Sequence, residues 1–82
     1  MYMKIVVYST DWCGDCHRAK AVLKASGLPY EEIDVEATET GRAEMMAING
    51  GINKVPTIII DGNTLLIEPE DEELSVALGL LN

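Results

Sequence analysis

The sequence predicts an α/β domain in which a four-stranded mixed sheet is covered by three helices, in the order βαβαββα. The signals are short β-branched runs that suit strands, amphipathic runs between them, and an Asp61-Gly62-Asn63 turn joining the last two strands. A chain of 82 residues has room for one core, so residues 1–82 are expected to form a single domain. A right-handed βαβ crossover followed by a hairpin predicts strand order 2-1-3-4, with the first two strands parallel.

The first strand is predicted over residues 3–9, a run of Ile, Val and Tyr that ends at polar residues. The first helix is expected to follow at once. Thr10 or Asp11 can cap its beginning, and Gly27 suits its end. Its apolar face is expected to consist of Ala19, Val22 and Leu23.

The central part of the chain predicts a strand, a helix and a hairpin. Residues 30–35 suit the second strand, and residues 57–60 and 64–67 suit the two strands of the hairpin. The intervening helix is expected to end at residues 49–51, where an asparagine is followed by two glycines. One face of this helix is predicted to consist of Ala43, Met46 and Ala47.

The last helix is predicted to begin near Pro69, whose missing N-H is tolerated in a first turn. Residues 70–73 are all acidic and complement the positive end of the helix dipole. Apolar residues at helical spacing predict one buried face, formed by Leu74, Ala77, Leu78 and Leu81.

The net charge of −8 argues against binding to nucleic acid or to anionic membrane surfaces, because both would repel the chain. No apolar run approaches the ~18 residues that a membrane span requires. The N-terminus also lacks the layout of a signal peptide. These features predict a cytoplasmic protein, which we expect to be a monomer.

The chain has two cysteines, Cys13 and Cys16, too close together to stabilise a fold by closing a long loop. A reversible redox pair, half of a metal site or a haem attachment site remain possible. At the start of the first helix, Cys13 lies in the first turn, where free N-H groups and the dipole stabilise a thiolate. Cys16 shares the inward side of the helix with Ala19 and Leu23. The spacing therefore predicts that Cys13 attacks a disulfide and that Cys16 resolves the mixed disulfide.

The run Tyr-Ser-Thr-Asp-Trp-Cys-Gly-Asp-Cys over residues 8–16, with Val-Pro-Thr at residues 55–57 and the hairpin after it, resembles the glutaredoxins. The chain is most similar to their mycoredoxin-like bacterial branch, through the two glycines at residues 50–51 and the ending with Pro69, Glu72 and Leu74. The resemblance covers nearly the whole chain. It implies the thioredoxin fold, thiol-disulfide oxidoreductase activity, and protein or small-molecule mixed disulfides as substrates.

The resemblance also implies a substrate site. Pro56 suits the start of a strand, but in this family the matching proline is cis and lies beside the cysteine pair, leaving the Val55 backbone free to bind substrate. Lys54 stands where the family usually has threonine. Trp12 is either a packing residue or one wall of the substrate groove. We therefore take Trp12, Lys54, Val55 and Pro56 as candidate substrate-binding residues.

Asp15 and His17 are candidate modulators of the Cys13 thiolate. Asp15 precedes the second cysteine where the family often has an aromatic residue or proline, and its carboxylate should oppose a nearby thiolate. His17 follows Cys13 by four residues. The paired glycines that follow the hairpin in the family are replaced by Leu66, Ile67 and Glu68. Mycothiol is therefore a candidate co-substrate beside glutathione, and a thioredoxin-type reductase is a candidate electron donor. No bound cofactor or metal is expected.

The rival interpretation is a small c-type cytochrome, because residues 13–17 match the Cys-x-x-Cys-His haem attachment motif. Met45 or Met46 would then be the distal ligand. Against haem, the Ile- and Val-rich runs predict a sheet, and residues 55–56 stay unexplained. A zinc site lacks a second pair of ligands. An iron-sulfur cluster that bridges two chains through Cys13 would require an external thiol.

Overall fold

The computed structural model describes residues 3–80. Seven elements follow one another in the predicted order βαβαββα. They are β1 (Ile5–Ser9), α1 (Gly14–Ser26), β2 (Glu31–Asp34), α2 (Glu39–Ile48), β3 (Thr57–Ile60), β4 (Thr64–Ile67) and α3 (Asp71–Ala77). The predicted α/β class, with a four-stranded mixed sheet and three helices, is confirmed.

The sheet has the predicted strand order β2-β1-β3-β4. β1 and β2 are parallel, with Ser9 opposite Asp34, whereas β3 runs antiparallel to β1 with Thr57 opposite Tyr8. Thr57 also lies opposite Ile67 of β4. The carboxyl ends of β1, β2 and β4 and the beginning of β3 therefore meet at one edge of the sheet.

Both faces of the sheet pack against helices, and the side chains of each strand alternate between the two faces. Ile5 and Val7 of β1 point toward α1 and α3, whereas Tyr8 points toward α2. The larger cluster, on the α1 and α3 side, consists of Ile5, Val7, Ala19, Leu23, Ile58, Ile60, Leu74 and Leu78. The smaller cluster has Tyr8, Val35 and Met45 at its centre.

A substitution at Leu23 tests how much the larger cluster contributes to stability, because the Leu23 side chain is fully buried in that cluster. We expect Leu23→Ala to lower the free energy of unfolding by about 2–5 kcal/mol, through lost burial and a residual cavity. Urea denaturation measures this loss. Val76→Ala is the control, since Val76 is exposed and its truncation should cost less than about 0.5 kcal/mol. Equal losses in the two variants would contradict this description of the core.

The predicted inward face of α2 is wrong. Gly41 and Met45 are buried, whereas Ala43 and Ala47 are exposed and Met46 is only half-buried. Gly41 causes the difference by letting α2 approach β2 closely: a Cβ there would lie 3.2 Å from Ile33 Cγ2 and 3.3 Å from the Asp34 carbonyl oxygen. The helix therefore turns its glycine, not its alanines, toward the sheet.

Several predicted boundaries also shift. Pro69 is not in the first turn of α3, because it precedes the N-cap residue Glu70 and its ring is buried. β1 begins at Ile5 rather than Met3, and β2 is one residue shorter at each end than predicted. Leu81, expected on the buried face of the last helix, lies outside the described residues. Within residues 3–80, no helix is long and apolar enough to cross a membrane.

Candidate active site

The edge where the strand ends meet carries both cysteines and the Val55-Pro56 segment. Cys13 follows β1, and Val55 precedes β3, which is paired with β1. Glu68 follows β4, and its N-H donates to the Pro56 carbonyl oxygen at 2.8 Å. A cleft of about 450 Å³ opens here, lined by Trp12, Cys13, Gly14, Asp15, Asn53, Lys54, Val55 and Glu68.

Cys13 is the N-cap residue of α1, which corrects the expectation that Thr10 or Asp11 caps it. The chain makes a turn at Asp11 and Trp12 before the helix begins, so the extended N-cap conformation falls on Cys13. The Cys16 backbone N-H donates to the Cys13 sulfur at 3.1 Å. The Cys13 thiol in turn lies 3.8 Å from the Val55 carbonyl oxygen, to which it donates. The sulfur therefore occupies the position of a capping acceptor at the start of α1.

Cys16 lies behind Cys13. Its side chain is 0% exposed, whereas Cys13 retains 8% exposure and lines the cleft. Burial, together with the hydrogen bond to Cys13, raises the pKa of the Cys16 thiol, while the Thr10 backbone N-H and Lys20 act in the opposite direction. The two cysteines thus differ in access as the helical spacing predicts.

The Val55-Pro56 peptide bond is cis, as the family resemblance implies. Pro56 is buried at the beginning of β3, whereas Val55 and Lys54 line the cleft. Among residues 3–80, no acceptor bonds the Val55 N-H. The Val55 backbone therefore offers a free donor directly beside Cys13, suited to pairing with an extended segment.

Trp12 projects from the cleft with 70% of its surface exposed. Its indole N-H donates to Glu36 Oε1 at 2.6 Å, so the ring is fixed from the end of β2. The other oxygen of Glu36 lies 3.9 Å from the Arg42 guanidinium, which also donates to Asn53. These contacts hold the tryptophan as a wall of the cleft rather than as a core residue.

Sequence reasoning missed Glu36, Asn53 and Glu68, which support or line the cleft. One signal was available for two of them. Glu36 follows β2 and Glu68 follows β4, and the predicted strand order already places those strand ends beside Cys13. Asn53 carries no comparable signal, because its position depends on the path of the loop between α2 and β3.

Asp15 lines the cleft, but its charge is paired. The Arg18 guanidinium lies 2.8 Å from the Asp15 carboxylate and 2.9 Å from that of Asp71. This pairing offsets part of the field that Asp15 would exert on Cys13. The ring of His17 is turned away to the chain before the helix, where Nε2-H donates to the Asp11 carbonyl oxygen at 2.7 Å. His17 therefore closes the turn that leads into α1.

The geometry does not suit haem attachment. Thioether bonds to haem would require both cysteine sulfurs to be accessible on one side of the protein, yet the side chain of Cys16 is fully buried. An axial ligand would require a free His17 nitrogen facing the same side, yet its Nε2 is bonded to Asp11. Within residues 3–80, no group of three His, Cys, Asp or Glu side chains is arranged to hold a metal ion.

Comparisons with known proteins agree with this geometry. The glutaredoxin family model matches residues 5–65. A Mycobacterium tuberculosis protein assigned to the glutaredoxins is 38% identical over 69 residues, which is 83% of this chain and 82% of that protein. The crystal structure of the thioredoxin-like protein BC3987 superposes with a TM-score of 0.77 at 29% identity, covering 88% of this chain and 96% of the other. A buckwheat glutaredoxin-glutathione complex superposes with a TM-score of 0.72 at 26% identity, covering 94% of this chain and 71% of the other.

Proposed function

This chain belongs to the glutaredoxin family of thiol-disulfide oxidoreductases, and on that premise we propose that Cys13 is its attacking sulfur and Cys16 its resolving sulfur. The observation that carries the proposal is the position of the Cys13 sulfur. It caps α1, accepts the Cys16 N-H and lines the same cleft as Val55. Cys16 has none of this access.

In the first step, the Cys13 thiolate attacks one sulfur of a substrate disulfide. A new S-S bond forms to Cys13, the substrate S-S bond breaks, and the departing thiolate takes a proton from water. The 3.1 Å hydrogen bond from the Cys16 N-H and the positive end of α1 favour the attacking anion. Arg18 pairs with Asp15, so part of the negative charge of that carboxylate is offset.

In the second step, Cys16 loses its proton and attacks the Cys13 sulfur of the mixed disulfide. The Cys13-Cys16 bond forms, the second substrate thiol departs, and two electrons have passed to the substrate. The short separation of the cysteines suits this exchange, because the Cys16 N-H already touches the Cys13 sulfur. Two molecules of a small thiol, or one dithiol reductase, then return the pair to its reduced form.

We place the substrate in this cleft. Trp12 forms one wall, and the free Val55 N-H pairs with the backbone of a segment that carries the disulfide. Lys54 supplies a positive charge at the entrance, where a carboxylate of a small thiol can bind. The substrates are disulfides of proteins and their mixed disulfides with mycothiol or glutathione. The protein acts as a cytoplasmic monomer.

The proposal is tested by supplying the oxidised protein with reductants of different classes. Glutathione, mycothiol and a thioredoxin-type reductase with its reduced nucleotide are compared as donors, with reduction of a mixed disulfide as the readout. We expect at least one donor to support turnover. The purified protein should also show no Soret band. A Soret band with no disulfide reduction by any donor would overturn the proposal in favour of the cytochrome.

A further inference from the structure

A buried lysine lies behind the resolving cysteine. Lys20 is only 9% exposed, and its Nζ lies 2.7 Å from Glu32 Oε2. The hydroxyl of Ser9 donates to the same carboxylate oxygen at 2.8 Å. The pairing with Glu32 raises the pKa of Lys20, and the Lys20 and Ser9 hydrogen bonds lower the pKa of Glu32. The network therefore keeps a lysine cation under α1.

Lys20 and Cys16 share the buried face of α1. Lys20 follows Cys16 by four residues, so the two side chains lie on the same inward face of α1. Glu32 is opposite Val7 in the ladder between β1 and β2, and Ser9 lies two residues farther along the same face of β1. Lys20 is thus fixed between the helix and the sheet.

Burying a charge is costly unless it is paired, and a lysine at the edge of a helix could reach water instead. The apolar cluster beneath α1 needs no ammonium group for its packing, because Ala19 and Leu23 already fill this face. The position of Lys20 suggests a task in which a positive charge is needed beside Cys16.

We propose that Lys20, held by Glu32 and Ser9, is a positioning residue for the second half of the reaction, where its charge stabilises the Cys16 thiolate that resolves the mixed disulfide. The inference rests on the proposed roles of Cys13 and Cys16. It adds a residue that acts through Cys16 and does not touch the substrate.

The electrostatic surroundings of Cys16 agree with this role. Burial and the neighbouring Cys13 sulfur disfavour its anion, and the Thr10 backbone N-H and Lys20 favour it. The influence is mutual, since Cys16 also raises the pKa of Lys20. Tyr30 also raises the pKa of Lys20, and Lys24 lowers the pKa of Glu32. The Thr10 hydroxyl is buried and finds no hydrogen-bond partner among residues 3–80.

The step requires Cys16 to give up its proton to solvent before it attacks. Its electron pair then forms the bond to the Cys13 sulfur, and the departing sulfur carries away the negative charge. Glu32 offsets part of the Lys20 charge, and the remaining positive field, one helical turn from Cys16, favours the first of these events. It has little influence on the attack by Cys13, which lies in the cleft on the other side of Cys16.

The test separates the two steps in one experiment. Reduced protein is mixed with excess dithiobis(nitrobenzoate), which releases one coloured thionitrobenzoate when Cys13 attacks and a second when Cys16 resolves the mixed disulfide. The first phase depends on reagent concentration and the second does not. Both rates are followed by stopped-flow absorbance from acidic to alkaline pH.

We expect Lys20→Met to slow the second phase about tenfold at neutral pH and to move the midpoint of its pH profile upward by about one unit. The first phase should stay within about twofold of wild type. Lys20→Gln keeps a donor for Glu32 without the charge and should behave like Lys20→Met. Lys20→Arg restores the charge and should restore most of the rate. Lys4→Met, which removes an exposed lysine at the opposite end of β1 from the cysteines, is the matched control and should change neither phase.

A normal second phase in folded Lys20→Met or Lys20→Gln would overturn the inference while leaving the roles of the cysteines intact. Equal slowing of both phases, or failure of Lys20→Arg to rescue, would also overturn it by indicating a structural role. If wild type released no coloured product in the first phase, the proposed function itself would be contradicted.

Discussion

Replacing Cys13 with serine is expected to lower disulfide reduction on the order of 10³-fold or more, which is the largest effect we predict for any single substitution. A serine hydroxyl is not ionised at neutral pH, and the only other cysteine of the sequence, Cys16, is enclosed. Turnover of a mixed disulfide with the preferred small thiol measures the loss.

The substitution should not disturb the fold, because serine is itself a good N-cap residue and can accept the Cys16 N-H in place of the sulfur. Urea denaturation of Cys13→Ser should therefore give a midpoint close to that of wild type. Near-normal turnover in Cys13→Ser would mean that the first attack belongs to Cys16, and the proposed order would be reversed.

We expect Cys16→Ser to lose activity toward one kind of substrate and to keep it toward another. Reduction of a protein disulfide by the two-cysteine route should fall by about 10²-fold or more, because no second sulfur can resolve the intermediate. Reduction of mixed disulfides with a small thiol should continue, since a second molecule of that thiol can enter the cleft and attack the small-thiol sulfur bonded to Cys13, which forms the small-molecule disulfide and releases the Cys13 thiolate.

The mixed disulfide between Cys13 and the substrate can be measured directly. Intact-mass analysis after one addition of a protein disulfide should show the substrate covalently attached to Cys16→Ser at Cys13, whereas wild type should show almost none. Cys13→Ser treated in the same way is the control and should remain unmodified. Full two-cysteine turnover in Cys16→Ser would exclude Cys16 as the resolving residue.

Predictions from the sequence succeed where a local signal and the tertiary contacts agree. The two strands of the hairpin begin and end at the predicted residues, because the β-branched run of β3 and the turn at Asp61-Gly62-Asn63 specify them locally. The inward position of Cys16 follows in the same way from its helical spacing to Ala19 and Leu23.

The predictions fail where a contact between residues far apart in the sequence determines the local structure. The face of α2 depends on the close approach of Gly41 to β2, which a count of apolar residues ignores. Trp12 is held by Glu36, 24 residues away, and Lys20 by Glu32, so neither contact has a sequence motif. The first strand leads into a turn before α1, and this displaces the cap from Thr10 or Asp11 to Cys13.

Of the two cysteines, we expect Cys13 to react first. Limited alkylation of the reduced wild-type protein tests it most directly, with substoichiometric iodoacetamide at neutral pH and fragment-ion mass spectrometry of the peptide that contains both cysteines. We expect nearly all of the first label on Cys13, because its sulfur caps the helix and lines the cleft while Cys16 is enclosed. Label that appears first on Cys16, or equally on both cysteines, would contradict it.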